Sequence, residues 1–201
     1  MKKDPYTIVE IDMRNDFSDD PRAALPVPGT LGLVGKIAVL EESAKNVLEV
    51  MDNHSESDPT SQEEFRKFPP HCIIGSWGHK RISGLNRSTL QLFKNTYDAW
   101  MGMHNSTYPS NIDTAMELLE NSNTIVVVGV VTGICVKAFI EGAMERGMAE
   151  KTIIIRDCTA NLDASGVPST RTLFKYWSEK GIRIISFEEF IKERTPPFLE
   201  E

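Results

Sequence analysis

The 201-residue sequence is short of cysteine, of clustered basic residues and of long apolar runs, and each shortage excludes something. Three cysteines, Cys72, Cys135 and Cys158, are too few for a disulfide framework, so a reducing, cytoplasmic setting is expected. No apolar stretch approaches the ~18 residues that span a bilayer. Lys2 and Lys3 are followed by Asp4 and Pro5, which interrupt any signal-peptide apolar region. With a formal net charge of −7 and no basic run, neither nucleic acid nor a membrane is an expected partner. Internal repeats, low-complexity segments and a glycine-rich phosphate fingerprint after the first strand are all missing, which leaves dinucleotide binding little support. The length suits one well-buried domain over residues 1–201, with about 193–201 a loose tail.

What is there is organised around Thr124 to Ala143. Ile125 to Val131 is an unbroken apolar, largely β-branched run, the pattern of a strand buried on both faces of a parallel sheet. From Cys135 the period becomes helical, with Val136, Phe139, Ile140 and Ala143 on one side. A strand, a tight turn and a helix with cysteine in its first turn make a seat where the helix dipole favours a thiolate. A buried structural cysteine is the ordinary alternative.

The remaining chain alternates strand and helix. Strands are expected at Tyr6–Ile11, Val47–Met51, Thr89–Phe93, Lys151–Ile155 and Ile182–Ile185. Helices are expected at Leu31–Asn46, Asn111–Leu119 and Ser169–Lys180, and after Ser186, where Glu189 completes a capping box. Ser55–Pro70 is polar and reads as a long functional loop. The alternation predicts an α/β fold, a three-layer α/β/α sandwich on a mostly parallel central sheet.

Asp12, Lys94 and Cys135 fall at strand ends, where ligands bind in open α/β sheets. A cysteine nucleophile needs a base for its proton and a cation beside the sulfur, and Asp12 and Lys94 supply these if their strands flank the one before Cys135. Singly, Asp12 could cap a turn and Lys94 could be a solvated charge. A second grouping is Asp52 and His54, two apart on extended chain and so on one face, with Glu64 (or equally Glu63) and His71. Mixed imidazole and carboxylate donors suit zinc, manganese or iron rather than calcium.

These motifs resemble the cysteine hydrolases of the isochorismatase-like fold, and specifically the nicotinamidases. The resemblance runs from about Tyr6 to Phe190. It rests on Asp12-Met-Arg-Asn-Asp-Phe17, on Asp52-x-His54 with Glu64 and Phe68-Pro-Pro-His71, on Lys94-x-x-Tyr97, and on Gly129-Val-Val-Thr-x-x-Cys135-Val. It implies a metal-dependent amidohydrolase that converts nicotinamide, and pyrazinamide, to the acid and ammonia. Asp12, Lys94 and Cys135 would be catalytic, and the N–H groups of Val131 and Cys135 would form an oxyanion hole beside a cis Val130–Val131 peptide. Phe17, Phe68 and Tyr97 would flank the substrate ring. Asp52, His54, Glu64 (now preferred to Glu63) and His71 would bind one divalent ion, zinc first, with manganese or iron as alternatives. The partner implied is a small-molecule amide, and the sequence leaves a homo-oligomer open. Two residues depart from the pattern: Gly133 replaces an aspartate, and Arg14 replaces a glutamine and would place a cation near Asp12. The other readings are an amidohydrolase of the same fold for another small amide, and a non-catalytic metal- or small-molecule-binding member. Cys72, pointing away from the His71 face, and Cys158, packing at a strand end, read as structural; Trp77 and His79 could line a pocket mouth or stand in a surface turn, and His104 is assigned no role.

Overall fold

The computed structural model describes residues 5–106 and 108–195. Six strands, β1 (Thr7–Ile11), β2 (Asn46–Asp52), β3 (Leu90–Lys94), β4 (Ile125–Val130), β5 (Thr152–Ala160) and β6 (Arg183–Ile185), form one sheet in the order β3-β2-β1-β4-β5-β6. All pairings are parallel. The helices are α1 (Val34–Ser43), α2 (Pro59–Glu64), α3 (Ile112–Glu120), α4 (Cys135–Glu145), α5 (Thr170–Glu179) and α6 (Phe187–Arg194).

Strand alternation divides the core into two layers. Ile8, Val126, Val128, Ile153 and Ile155 face Ile37 and Leu40 of α1 and Phe190 of α6. Val9, Ile11, Leu48, Val50, Val127 and Ile154 face Leu119 of α3, Phe139 and Ile140 of α4, and Trp177 of α5. The sandwich is thus three-layered. Among the described residues no helix is long and apolar enough to cross a membrane.

Several boundaries differ from the sequence expectation. Ser55–Pro70 is not all loop: Asp58 accepts the Ser61 N–H and Pro59 opens α2, so capping rather than apolar periodicity starts this helix. The chain before β2 is divided between a 3₁₀ turn at Thr30–Leu33 and the shorter α1. The fifth strand runs on to Ala160, because an irregularity after Ile154 lets Thr159 and Ala160 pair again with Gly129 and Val130. Glu193 and Arg194, expected in the loose tail, belong to α6, and the rest of that expectation beyond Thr195 lies outside the described residues. Gly129 has φ +107, and a Cβ there would lie 2.1 Å from the Ile11 carbonyl oxygen. Only glycine lets β4 pass this close to the end of β1.

Candidate active site and metal cluster

The carboxyl ends of four neighbouring strands meet at one point. Ile11 pairs with both Val50 and Gly129, and Asp52 pairs with Lys94, so Asp12, Asp52, Lys94 and the turn before Cys135 share one edge. Asp12 leaves its strand at φ +53. Its Oδ1 accepts the Asp52 N–H at 3.1 Å, and its Oδ2 lies 2.9 Å from Lys94 Nζ. Lys94 does not stand on a strand flanking β4, as the sequence reading required. It reaches across from β3, donating to Asp52 Oδ1 on the way and ending 3.8 Å from Cys135 Sγ.

Burial sets the charges. Lys94 is fully buried, which opposes its charge, but the carboxylates of Asp12 and Asp52 hold its ammonium well above the ordinary lysine range. Burial and the neighbouring charge of Asp52 push the Asp12 carboxyl up, against Lys94. Burial likewise pushes the Cys135 thiol well up, with Lys94 opposing and Asp12 adding. Burial thus works against the thiolate that a helix start favours, and it also raises the proton affinity of the neighbouring carboxylate.

The Val130–Val131 peptide is cis. The Val131 carbonyl accepts the Ile134 and Val136 N–H groups at 3.0 and 3.1 Å, closing the turn under Cys135. Among the described residues the N–H groups of Val131 and Cys135 have no backbone acceptor. At Gly133 a Cβ would lie 2.6 Å from Val167 Cγ1, so the chain between β5 and α5 occupies the space a side chain would need. Asn161 secures that contact, accepting the Gly133 N–H at 2.8 Å and donating to the Pro168 carbonyl at 2.9 Å.

Beside this triad, donor atoms of Asp52, His54, Glu64 and His71 all lie within 4.8 Å of one another. Bonds of ~2.0–2.2 Å from nitrogen and oxygen to zinc would bring such a group around a single ion. Asp52 Oδ2 and His54 Nε2 are buried without a hydrogen-bond partner, and both belong to this cluster. His71 Nε2 is 3.5 Å from Asp52 Oδ2 and 3.8 Å from Glu64 Oε1. The Nδ1 atoms of both histidines are engaged elsewhere, His54 with Ser61 Oγ at 3.0 Å and His71 with the Pro69 carbonyl at 2.8 Å. The residues fit a divalent cation.

Phe68 and Tyr97 line a cavity of about 620 Å³ beside the nucleophile turn, with Ile134, Trp100 and Val167. Phe17 does not line it: it is buried, 5.3 Å from the His71 ring. Arg14 is also not aimed at the triad. Its guanidinium is held by Glu49 at 2.5 Å and by Met51 on the α1 face. Cys72 and Cys158 are buried in the core on that same face. His79 binds Asn53 Oδ1 at 2.9 Å, and Trp77 lies under Arg22. Sequence reasoning missed Asn161, Asp58, Ser61 and Asn95. Of these only Asp58, next to Pro59 and three residues before Ser61, carries a local signal.

A sequence comparison with curated proteins finds no significant match. The isochorismatase domain model matches residues 6–189. Among solved structures, a nicotinamidase/pyrazinamidase from Acinetobacter baumanii superposes with a TM-score of 0.76 at 20% identity, covering 94% of this chain and 100% of that one. A Pyrococcus horikoshii pyrazinamidase in complex with zinc gives 0.70 at 19% identity, covering 90% and 98%. An N-carbamoylsarcosine amidase from Thermoplasma acidophilum gives 0.69 at 22% identity, covering 92% and 97%.

Proposed function

The chain belongs to the isochorismatase domain family, and from that premise we propose that it is a metal-dependent cysteine amidohydrolase converting nicotinamide to nicotinate and ammonia, with pyrazinamide a further substrate. One observation carries the reading: Cys135 Sγ, Lys94 Nζ and the Asp12 carboxylate meet at the sheet edge, and Asp52 joins them to a histidine–carboxylate cluster. A module that only bound small molecules has no use for a buried thiol, ammonium and carboxylate in mutual reach.

Asp12 takes the proton from Cys135 as the sulfur forms its bond to the amide carbon. Lys94 stays charged throughout and stabilises the anionic forms of both neighbours. The N–H groups of Val131 and Cys135 face the developing oxyanion, an interaction commonly worth ~3 kcal/mol. Asp12 then delivers its proton to the leaving nitrogen, the C–N bond breaks, ammonia departs and a thioester remains. With Asp12 again as base, water adds to the thioester, the C–S bond breaks, Asp12 returns the proton to the departing sulfur and the acid is released. Phe68 and Tyr97 flank the ring from the cavity side, and Phe17 backs His71 from the core. Asp52, His54, Glu64 and His71 would hold the ion, zinc first, and a bound divalent ion offers a Lewis-acidic position for the ring nitrogen of the substrate.

The test is ammonia release from nicotinamide by purified protein, with and without chelator. No release from nicotinamide by metal-loaded protein would refute the proposal. A second reading, hydrolysis of another small amide by the same triad, is favoured by Gly133, which stands where the resemblance implies an aspartate, and by the likeness to the N-carbamoylsarcosine amidase.

A further inference from the structure

Behind His54 runs a line of buried polar groups that the amidase chemistry does not use. Ser61 is fully buried, and its hydroxyl has a single proton to give. That proton goes to Asp58 Oδ2, 2.7 Å away. The oxygen of Ser61 is left with lone pairs, which face His54 Nδ1 at 3.0 Å and the Ser55 N–H at 3.3 Å. His54 must therefore carry its hydrogen on Nδ1, and Nε2 presents a lone pair to the cluster of Asp52, Glu64 and His71. The opposite tautomer would aim an N–H at the ion position and leave Nδ1 without a donor.

Asp58 is itself buried, and its Oδ2 takes two further hydrogen bonds. One comes from the Ser61 N–H at 3.2 Å and caps α2, the helix that delivers Glu64. The other comes from Asn95 Nδ2 at 2.8 Å, one residue beyond Lys94. Asn95 is fully buried and exchanges bonds with the His104 backbone, donating to its carbonyl at 2.9 Å and accepting its N–H at 2.8 Å. Capping would need only Asp58 and the Ser61 N–H. The hydroxyl bond to His54 is additional, and His71 has no counterpart, since its Nδ1 is held by a backbone carbonyl.

We propose that Asp58 and Ser61 are positioning residues for metal binding: the chain Asp58–Ser61–His54 fixes the tautomer and orientation of His54, and the same carboxylate ties the Glu64 helix and the end of the Lys94 strand to that ligand. The inference rests on the metal-site reading above. Groups that orient a ligating histidine through its other nitrogen typically change metal affinity by ~10–100-fold when removed.

Ser61→Ala isolates the effect, because it keeps the backbone cap and removes only the hydroxyl. Zinc affinity, measured by competition with a chromophoric chelator, is expected to fall by ~10–100-fold. In nitrogen-15 spectra of the zinc-free protein, His54 is expected to be the Nδ1–H tautomer in the native chain and to move toward Nε2–H in the variant. Native zinc affinity in Ser61→Ala overturns the proposal. So does weakened affinity with an unchanged Nδ1–H tautomer, which would make Ser61 a packing residue only. A native protein that binds no zinc overturns the metal site and the positioning chain together. Zinc binding and a tautomer shift as expected, in a protein that does not hydrolyse nicotinamide, supports the positioning chain while refuting the substrate assignment.

Discussion

Gly133 is one of the two departures from the motifs the sequence resembles, and the packing around it yields a quantitative prediction. In Gly133→Ala the new Cβ would sit 2.6 Å from Val167 Cγ1, 3.0 Å from Asn161 Oδ1 and 3.1 Å from the Pro168 carbonyl oxygen. Carbon atoms rest comfortably at ~3.5–4.0 Å, so Val167 must retreat by about 1 Å. Overpacking of this kind costs ~1–3 kcal/mol. Alanine recovers part of that by restricting the unfolded chain, typically ~0.4–1 kcal/mol. The backbone at Gly133 is outside the left-handed region, so it adds no strain of its own. The expected net loss lies between roughly 0 and 2.6 kcal/mol, or up to about 10 °C in Tm for a chain of this length.

Thermal unfolding of four proteins decides the matter: native, Gly133→Ala, Val167→Ala and the double variant. Val167→Ala removes the methyl that the new Cβ strikes, so the double variant should lose less than the sum of the single losses, with a coupling of ~0.5–3 kcal/mol. Gly133→Asp, which installs the residue the resemblance implies, should be worse than alanine, because its carboxylate would be pressed toward Asn161 Oδ1. Strictly additive losses would refute the packing explanation.

Cys135→Ala is expected to abolish turnover with little change in unfolding temperature, and ammonia release at a comparable rate would show the wrong nucleophile had been chosen. Cys72→Ala and Cys158→Ala should both remain active. Burial first, and then Asp157, pushes the Cys158 thiol up to about 12. At pH 8 roughly one molecule in 10⁴ is then a thiolate, so mass spectrometry should find Cys158 unalkylated by iodoacetamide until the protein unfolds. Lys94→Ala leaves the buried carboxylates of Asp12 and Asp52 without their ammonium, a loss expected to cost ~3–5 kcal/mol by denaturant titration. His54→Ala and His71→Ala should each lose bound metal and most nicotinamide activity. Benzamide, which lacks the ring nitrogen, should be a much poorer substrate than nicotinamide for the native protein, and the gap should narrow in both variants. Equal turnover of the two amides by native protein would exclude recognition of the ring nitrogen.

The sheet is legible in the sequence because buried parallel strands are continuous apolar runs, as Ile125–Val130 is, and the catalytic candidates are legible because they stand where those runs stop. Other features are set by tertiary contacts that no window of sequence contains. Arg156-Asp157 looks like the end of a strand, yet the chain pairs again at Thr159 because β4 continues beside it. Arg14 looks like a cation beside Asp12, but Glu49 of β2 pairs with it. Lys94 looks misplaced on β3 until its side chain is followed across two neighbouring strand ends. Ser61 carries no chemical signature at all, since its role depends on where the turn after Asp52 folds His54.

The two clusters are better understood as one electrostatic unit than as a triad with a metal site nearby. Asp52 belongs to both: Oδ1 accepts from Lys94, and Oδ2 faces the imidazoles of His54 and His71. The ammonium of Lys94 holds the Asp52 carboxyl well below the usual range against its burial, so it stays anionic in both capacities. With Asp12 and Glu64 also ionised, three carboxylates would face one ammonium in a space almost closed to water. A divalent cation cancels the two negative charges left over. Asp12 alternates between carboxylate and acid in the proposed chemistry, and it is the member of the unit least committed to its charge: burial and Asp52 raise its proton affinity while Lys94 lowers it. The charge balance thus assigns the proton-carrying role to Asp12 and the fixed-anion role to Asp52, although both are aspartates at the ends of adjacent strands.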